Sequence, residues 1–379
     1  MSDPRGFRSV VTNAGLRADG DDFAVLVSAA PATCAAVFTR SRLAGPSVEL
    51  SRSALRAAAP QGVIVASGNA NVATGQEGLA NARETRDLVA DALGIPAEEL
   101  LIASTGSIAR QYPMPTMRKR LAALPSSFPP ADFHRISRAI LTKDTRPKIV
   151  HRRCGSASIV GFAKGIGMIE PDMATMLAFF ATDALLPADA LDRIFRQVVS
   201  STFNAVSVDS DTSPSDTAAV FANGLAGPVD EAEFTSVLHD AALALTRMIA
   251  RDGEGATKLI EARVGGARDT AQATRVGKAI INSPRVKTAV HGGDPNSGRV
   301  LAAIGTCVDD TDIHADRVRL SFGGVPVHPG GVAAPHRTAL TDHLRGDHVV
   351  IGVDLGIADG AFTVYGCDLS AAYVTVNAR

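Results

Sequence analysis

Apolar and polar positions along the chain follow two rhythms. Short runs rich in β-branched and aromatic residues, bounded by Gly, Pro, Asn or Ser, predict strands over 23–27, 35–39, 62–66, 100–104, 158–163, 175–181, 259–264, 318–322, 349–353, 362–365 and 373–376. Between them, apolar residues three or four apart predict helices over 80–93, 116–124, 131–141, 188–203, 231–250, 269–281 and 336–344. Asp230, ahead of Glu231-Ala232-Glu233, has the side chain and the acidic first turn of a helix N-cap. Strand and helix alternate throughout, so the fold class is α/β, built in layers. The pattern leaves strand order open. No repeat or low-complexity stretch appears, and 125–130 (PSSFPP) and 324–335, with Pro326, Pro329 and Pro335, read as flexible connections.

Composition narrows the classes. A chain of 379 residues, 46% hydrophobic and 20% charged, can bury a large core and is long enough for two lobes. A net charge of −1 gives no electrostatic footprint for nucleic acid or an anionic membrane. The opening MSDPRGFRSVV has no long apolar stretch, and no run reaches the roughly 18 apolar residues of a membrane span. Cys34, Cys154, Cys307 and Cys367 lack CxxC spacing, which argues against zinc or a disulfide framework. They read as reduced thiols of a cytoplasmic protein, and none has the nearby His-containing motif of a thiol nucleophile.

The most informative stretch is 163–183, AKGIGMIEPDMATMLAFFATD. Gly165 and Gly167 lead through Pro171 to Ala174-Thr175, and the apolar run Met176-Leu177-Ala178-Phe179-Phe180 follows at once. A threonine after a small residue, at the mouth of a buried strand, suits a chain that cuts its own backbone there. The freed Thr175 would carry a hydroxyl nucleophile and its own base, an α-amine titrating near ~7.7–8.0. The same letters also fit a core strand whose threonine satisfies a backbone carbonyl, and locally that plainer reading is favoured.

Nine blocks across the chain decide between them. They are FTRSRLAGPSV (38–48), SGNANVATG (67–75), IASTGSIARQYPM (102–114), ILTKDTRPK (140–148), the stretch around Thr175, NAVSVDSDTSPSDT (204–217), DGEGATKLIE (252–261), VKTAVHGGDPNSGRV (286–300) and ADGAFTVYGCDL (358–369). In this order the chain resembles the ornithine acetyltransferase family, the bifunctional glutamate N-acetyltransferases of arginine biosynthesis. It is most similar to their actinobacterial branch, which includes a paralogue from clavulanic acid clusters.

The resemblance implies an αββα sandwich of N-terminal-nucleophile type, in two lobes with the site between them. It implies self-cleavage between Ala174 and Thr175, giving segments 1–174 and 175–379 that stay associated as an α/β heterodimer and assemble into heterotetramers or larger. The implied reaction moves acetyl from N2-acetyl-L-ornithine to L-glutamate by ping-pong through acetyl-Thr175. No cofactor or metal is expected, and use of acetyl-CoA is left open. The partners are small-molecule substrates, without nucleic acid or membrane.

Donors for the tetrahedral oxygen are expected where Ser104-Thr105-Gly106 turns out of a strand; by resemblance they are the Thr105 hydroxyl and the Gly106 N–H. Lys164, in a loop too glycine-rich to hide a lysine in a core, is the matching contact to substrate and helps to set the protonation of the Thr175 amine. Thr142 matches the family's first substrate threonine, with Lys143 where another Thr is commoner. Glu254 matches the acidic contact for an ornithine ammonium, and Asn377 the asparagine of a C-terminal clamp.

Three constellations are set aside. Asp209, Asp211 and Asp216 have no EF-hand spacing and no partnering His, and read as a polar loop beside the site. Residues 253–258 lack the spacer of a P-loop. His291 reads as a structural loop histidine, a general base only if the Thr175 amine is insufficient. Two departures bear on acceptor choice. Ser297 stands where the family usually has Trp, and the sequence ends two residues after Asn377, where the family continues to a terminal Thr or Ser. A related acyltransferase or amidohydrolase with another acceptor, and a silent amino-acid-binding paralogue that never cleaves, therefore stay as competing readings.

Overall fold

The computed structural model describes residues 2–170 and 176–378. Ala174 and Thr175 lie outside them. The chain divides into two compact units: Met1–Gly165, Pro171–Asn204 and Thr212–Leu245 form the first, and Ile166–Glu170, Ala205–Asp211 and Thr246–Arg379 the second. These units interleave along the chain. The expected division into 1–174 and 175–379 does not coincide with either unit.

Among the described residues, the first unit holds nine strands: β1 (Phe7–Thr12), β2 (Phe23–Ser28), β3 (Thr33–Phe38), β4 (Gly62–Asn69), β5 (Leu100–Ser107), β6 (Lys148–Cys154), β7 (Ala157–Lys164), β8 (Leu177–Leu185) and β9 (Thr217–Pro228). They form a four-stranded sheet, β1-β2-β4-β5, and a five-stranded sheet, β3-β9-β8-β7-β6. Each sheet has one parallel pair, β4 with β5 and β8 with β9.

The alternation of side chains across each strand assigns the layers. Leu26, Val63, Val65, Leu101 and Ala103 of the smaller sheet share one buried cluster with Phe162, Leu177, Phe179 and Phe221 of the larger. The intervening residues Val25, Ile64, Leu100 and Ile102 pack instead with Ala82 and Val89 of helix Gly75–Leu93 and Met114 and Met117 of helix Met114–Leu121. Phe180, one residue on from Phe179, points away from the sheet–sheet core. Its ring lies 6.2 Å from Phe195 of helix Ala188–Ser201 and 6.1 Å from Phe203. The first unit is therefore an αββα sandwich.

The second unit is a five-stranded mixed sheet, β12-β11-β13-β10-β14, built from β10 (Leu259–Ala267), β11 (Arg319–Phe322), β12 (Val325–His328), β13 (His348–Asp354) and β14 (Gly360–Cys367). Helices Thr270–Asn282, Pro284–His291, Ser297–Ile304 and Arg337–Arg345 share its apolar cluster, with Ile260, Ile280, Ile351 and Val364 fully buried.

Several expectations are corrected. Residues 373–376, expected as a strand, lie in helix Ala371–Asn377, because the Ser370 side chain accepts from Ala372 N–H and starts a helix there. The segment 125–130 is tied down rather than flexible: Phe128 is buried and the Pro129 carbonyl accepts from Ser9 N–H at 3.0 Å. Strands β1, β6, β9 and β12 and helices Pro46–Ala57, Pro284–His291 and Ser297–Ile304 were not anticipated. The Asp230 cap is present, its carboxylate accepting from Glu233 N–H at 2.8 Å.

Phe180→Ala should destabilise the sandwich by about 3–5 kcal/mol, since the ring is fully buried between two other rings. Urea denaturation checks this, and a loss below about 1 kcal/mol would show that the outer layer can collapse around the cavity.

Candidate active site

Strand β5 runs parallel to β4 in register from Gly62↔Leu100 to Gly68↔Gly106, then slips, so that Asn69 faces both Thr105 and Ser107. The expected turn at Thr105-Gly106 is thus an irregularity inside β5. Glycine is required at 106 for two reasons: φ is +130°, and a Cβ would lie 2.2 Å from the Gly68 carbonyl carbon. Thr105 is half-buried and Gly106 exposed.

Lys164 is the last residue of β7, opposite Leu177, the first residue of β8. It is buried at the end of a strand, not in the glycine-rich loop expected, and its Nζ donates to Thr105 Oγ1 at 3.2 Å. What permits a buried lysine here is Asp144, whose side chain is fully buried. Asp144 Oδ1 accepts from Lys148 Nζ and from Gly165 N–H, both at 2.7 Å, and Oδ2 accepts from Thr142 N–H at 3.1 Å. One carboxylate thereby ties the chain before β6 to the residue that follows Lys164. Ser67 of β4, in register with Thr105, extends the link by donating to the Leu141 carbonyl at 2.6 Å.

Burial alone would raise the Asp144 carboxyl. The charges of Lys164 and Lys148, with the hydrogen bonds from Lys148 and Gly165, outweigh that and bring it down to about 2. Burial lowers the Lys164 ammonium below lysine's ordinary range, with Asp144 opposing and Lys148 adding to the depression. Asp216 is buried with one carboxylate oxygen unpartnered, and burial pushes it well above the usual carboxylate range, against the pull of Lys164.

In the second unit, Glu254 N–H donates to the Ile166 carbonyl at 2.8 Å. Its carboxyl packs on Gly167, where a Cβ would lie 2.7 Å from the carboxyl carbon. Glu254 Oε2 accepts from Asn377 Nδ2 at 2.7 Å. Asn377 ends helix Ala371–Asn377, whose cap, Ser370, donates to the Gly255 carbonyl at 2.6 Å.

The first unit therefore brings together Thr105, Gly106, Lys164 and, through Asp144, Thr142; the second brings together Glu254 and Asn377. The cleavage pair falls outside the described residues. Sequence reasoning missed Asp144 and the burial of Asp216. An acid between Lys143 and Lys148, in a segment otherwise without negative charge, was the available signal for the first. His291 ends helix Pro284–His291 rather than sitting in a loop, and its Nδ1 lies 2.7 Å from Asp368 Oδ2, a carboxylate that also accepts from the Thr257 and Lys258 amides. Ser297 is the first residue of helix Ser297–Ile304 and is half-buried.

Comparison with known proteins gives a consistent result. The model of the ArgJ family matches residues 8–379. Glutamate N-acetyltransferase Oat2 of Streptomyces clavuligerus is 60% identical over 382 residues, covering 99% of this chain and 97% of that protein. The arginine biosynthesis bifunctional protein ArgJ of Rhodococcoides fascians is 52% identical, covering 99% of this chain and 94% of its own. That of Thermus thermophilus is 44% identical, covering 99% and 98%.

The depressed Asp144 carboxyl makes stability acid-sensitive with a defined sign. An unfolded aspartate titrates near ~3.9, so the native state favours the ionised form; its stabilisation is complete above that value and is lost as pH falls toward about 2. The amount is on the order of 2 kcal/mol. Denaturation measured from pH 5 down to 2.5 should show this loss in the wild type. Asp144→Asn should be less stable at neutral pH and show a shallower acid decline; an unchanged acid slope would contradict the assignment.

Proposed function

The chain belongs to the ArgJ family, and on that premise we propose that it moves an acetyl group from N2-acetyl-L-ornithine to L-glutamate through an ester on Thr175. It is an acyltransferase of arginine biosynthesis. The observation that carries the mechanism is the Lys164–Thr105 contact beside Gly106. Because Lys164 donates to Thr105 Oγ1, the threonine's own proton stays available for another acceptor. That proton and the Gly106 N–H are the two donors proposed for the tetrahedral oxygen.

The first step is self-cleavage. Thr175 Oγ attacks the Ala174 carbonyl carbon, the C–N bond breaks, and the hydroxyl proton passes to the released nitrogen. Water then splits the ester, leaving an Ala174 carboxylate and a free Thr175 hydroxyl and amine. In turnover, Thr175 Oγ attacks the acetyl carbon while its proton moves to the adjacent amine. Collapse of the tetrahedral oxyanion breaks the bond to the ornithine α-nitrogen, which takes up that proton. The amine of glutamate then attacks the acetyl ester, and the proton it loses returns to Thr175 Oγ as N-acetylglutamate leaves.

Lys164, whose Nζ donates to Thr105 Oγ1, is proposed to contact substrate and to help set the protonation of the Thr175 amine. Glu254 serves the ornithine ammonium, held in place by Asn377, and Thr142 contacts substrate. The two segments are proposed to remain together as a heterodimer that pairs further, in the cytoplasm, with acetyl-CoA as a candidate further donor. No helix among the described residues is long and apolar enough to cross a membrane.

Thr175→Ala should yield one uncut chain with no acetyl transfer, which intact mass and a substrate panel report together. Thr105→Ala should lower kcat by about 10²-fold with little change in KM, because its donor acts mainly in the transition state. It is the cleaner probe, since any side chain at 106 would also collide with Gly68. A large KM change at unchanged kcat would make Thr105 a substrate contact instead. Acetate release without transfer to glutamate would favour an amidohydrolase.

A further inference from the structure

Strand β3 is an edge of the five-stranded sheet, paired with β9 alone. Beside it lies a cavity of about 370 Å³, with an apolar floor that includes Phe38 and Leu55 and with four arginines around it, Arg40, Arg52, Arg56 and Arg196. Three elements of the first unit supply them. Arg40 follows β3, Arg52 and Arg56 stand one turn apart on helix Pro46–Ala57, and Arg196 belongs to helix Ala188–Ser201. Among the described residues no acid lines the cavity, in a chain whose net charge is −1.

Like charges four residues apart destabilise a helix, so Arg52 and Arg56 together oppose folding rather than assist it. Asp192 compensates little. Its Oδ2 lies 2.8 Å from Arg196 Nε within one helix, and the two side chains are 43% and 48% exposed. Arg52, by contrast, is half-buried and held in place. Its guanidinium donates to the Thr39 carbonyl, and its Cζ lies 6.0 Å from the centroid of the Phe38 ring. Thr39 is itself buried, its N–H donating to the Asp216 carbonyl at 2.9 Å and its Oγ1 to the Ser213 carbonyl at 2.7 Å. An arginine fixed in this way has already lost its rotamer freedom, so a ligand need not supply that ordering cost. Charges on an edge strand also discourage edge-to-edge pairing. Repulsion of that kind needs neither a cavity nor a guanidinium set against a ring.

We propose that this cavity is a binding site for a small organic polyanion, a molecule carrying two or more phosphate or carboxylate groups on an apolar frame. Guanidinium forks match both groups in bidentate fashion, and Phe38 and Leu55 receive the frame. The volume falls toward the lower end of small-molecule sites, which run from roughly 300 to 1,000 Å³. This site stands independently of the acetyl-transfer reading.

The test is calorimetric titration of the purified protein with inorganic pyrophosphate, citrate and acetate, at low and at high salt. Pyrophosphate or citrate should bind with one-to-one stoichiometry, about 10-fold or more tighter than acetate, and more weakly as salt rises. Whichever of the two binds tighter identifies the group that the arginines select. Arg56→Glu should weaken binding by about 10-fold or more, and its exposed position leaves the fold undisturbed. Arg52→Lys, which keeps the charge and loses the fork, should weaken it by roughly threefold. Arg345→Ala, which removes an exposed arginine of the second unit, should leave affinity within about twofold of wild type. Absence of saturable binding by both polyanions would overturn the site, as would unchanged affinity in Arg56→Glu or an equal loss in Arg345→Ala. Salt-sensitive self-association that is lost in Arg56→Glu, with neither polyanion bound, would also overturn it and assign the arginines to a second copy of the chain.

Discussion

The buried carboxylate of Asp144 is the interaction on which the first unit's functional end depends. It gathers an ammonium, a backbone amide and the start of the Thr142 segment, and it lies within electrostatic reach of Lys164. Without it, Lys148, with a side chain 1% exposed, would be a buried charge lacking its principal partner. Removing one member of such a pair typically costs 3–5 kcal/mol, more than most single contacts in a fold. The carboxylate thus matters both for stability and for fixing where β7 ends. That end sets Lys164 against Thr105, and the Thr105–Gly106 irregularity in β5 depends in turn on the close approach of Gly68.

Much of this was legible in the sequence, and what was not has physical causes. Strands with dense apolar runs, such as β2, β4 and β8, declared themselves through composition. Strand β9, Thr217–Pro228, is rich in Ala and Gly and carries little intrinsic strand preference; it exists because β3 and β8 pair with both its edges. The run 373–376 erred in the opposite sense. Its β-branched residues favour a strand, yet Ser370 caps a helix there and Val374 remains exposed. Pro125 to Pro130 looked like a linker, but Phe128 within it is a core residue.

The candidate site shows the same division. Thr105, Gly106, Lys164, Thr142, Glu254 and Asn377 were named from family motifs, and among them Lys164 meets Thr105 and Glu254 meets Asn377. Burial was misjudged, because glycine-rich flanks said nothing about the charges that compensate Lys164. The main compensating charge is that of Asp144, brought in from the segment before β6, and such pairing across the chain leaves no periodic trace in the sequence. Asp209 is the sharpest case. Among Asp211 and Asp216 it resembled one member of an acidic loop, yet Asp209 and Asp216 belong to different units, the first accepting from the Met168 and Ile169 amides and the second buried with an unpartnered oxygen.

Acyl transfer through a threonine ester is the claim from which the other functional assignments follow, and it has a direct test. Purified protein is mixed with N2-acetyl-L-ornithine, with no glutamate present, quenched in acid within the first turnovers and analysed by intact mass and peptide mapping. Acyl transfer through Thr175 requires one acetyl group on the fragment that begins at Thr175, located on that residue, and its disappearance when glutamate is added with matching formation of N-acetylglutamate. Turnover with no acetyl group on Thr175 at any time, or an acetyl group carried by another residue, would contradict it.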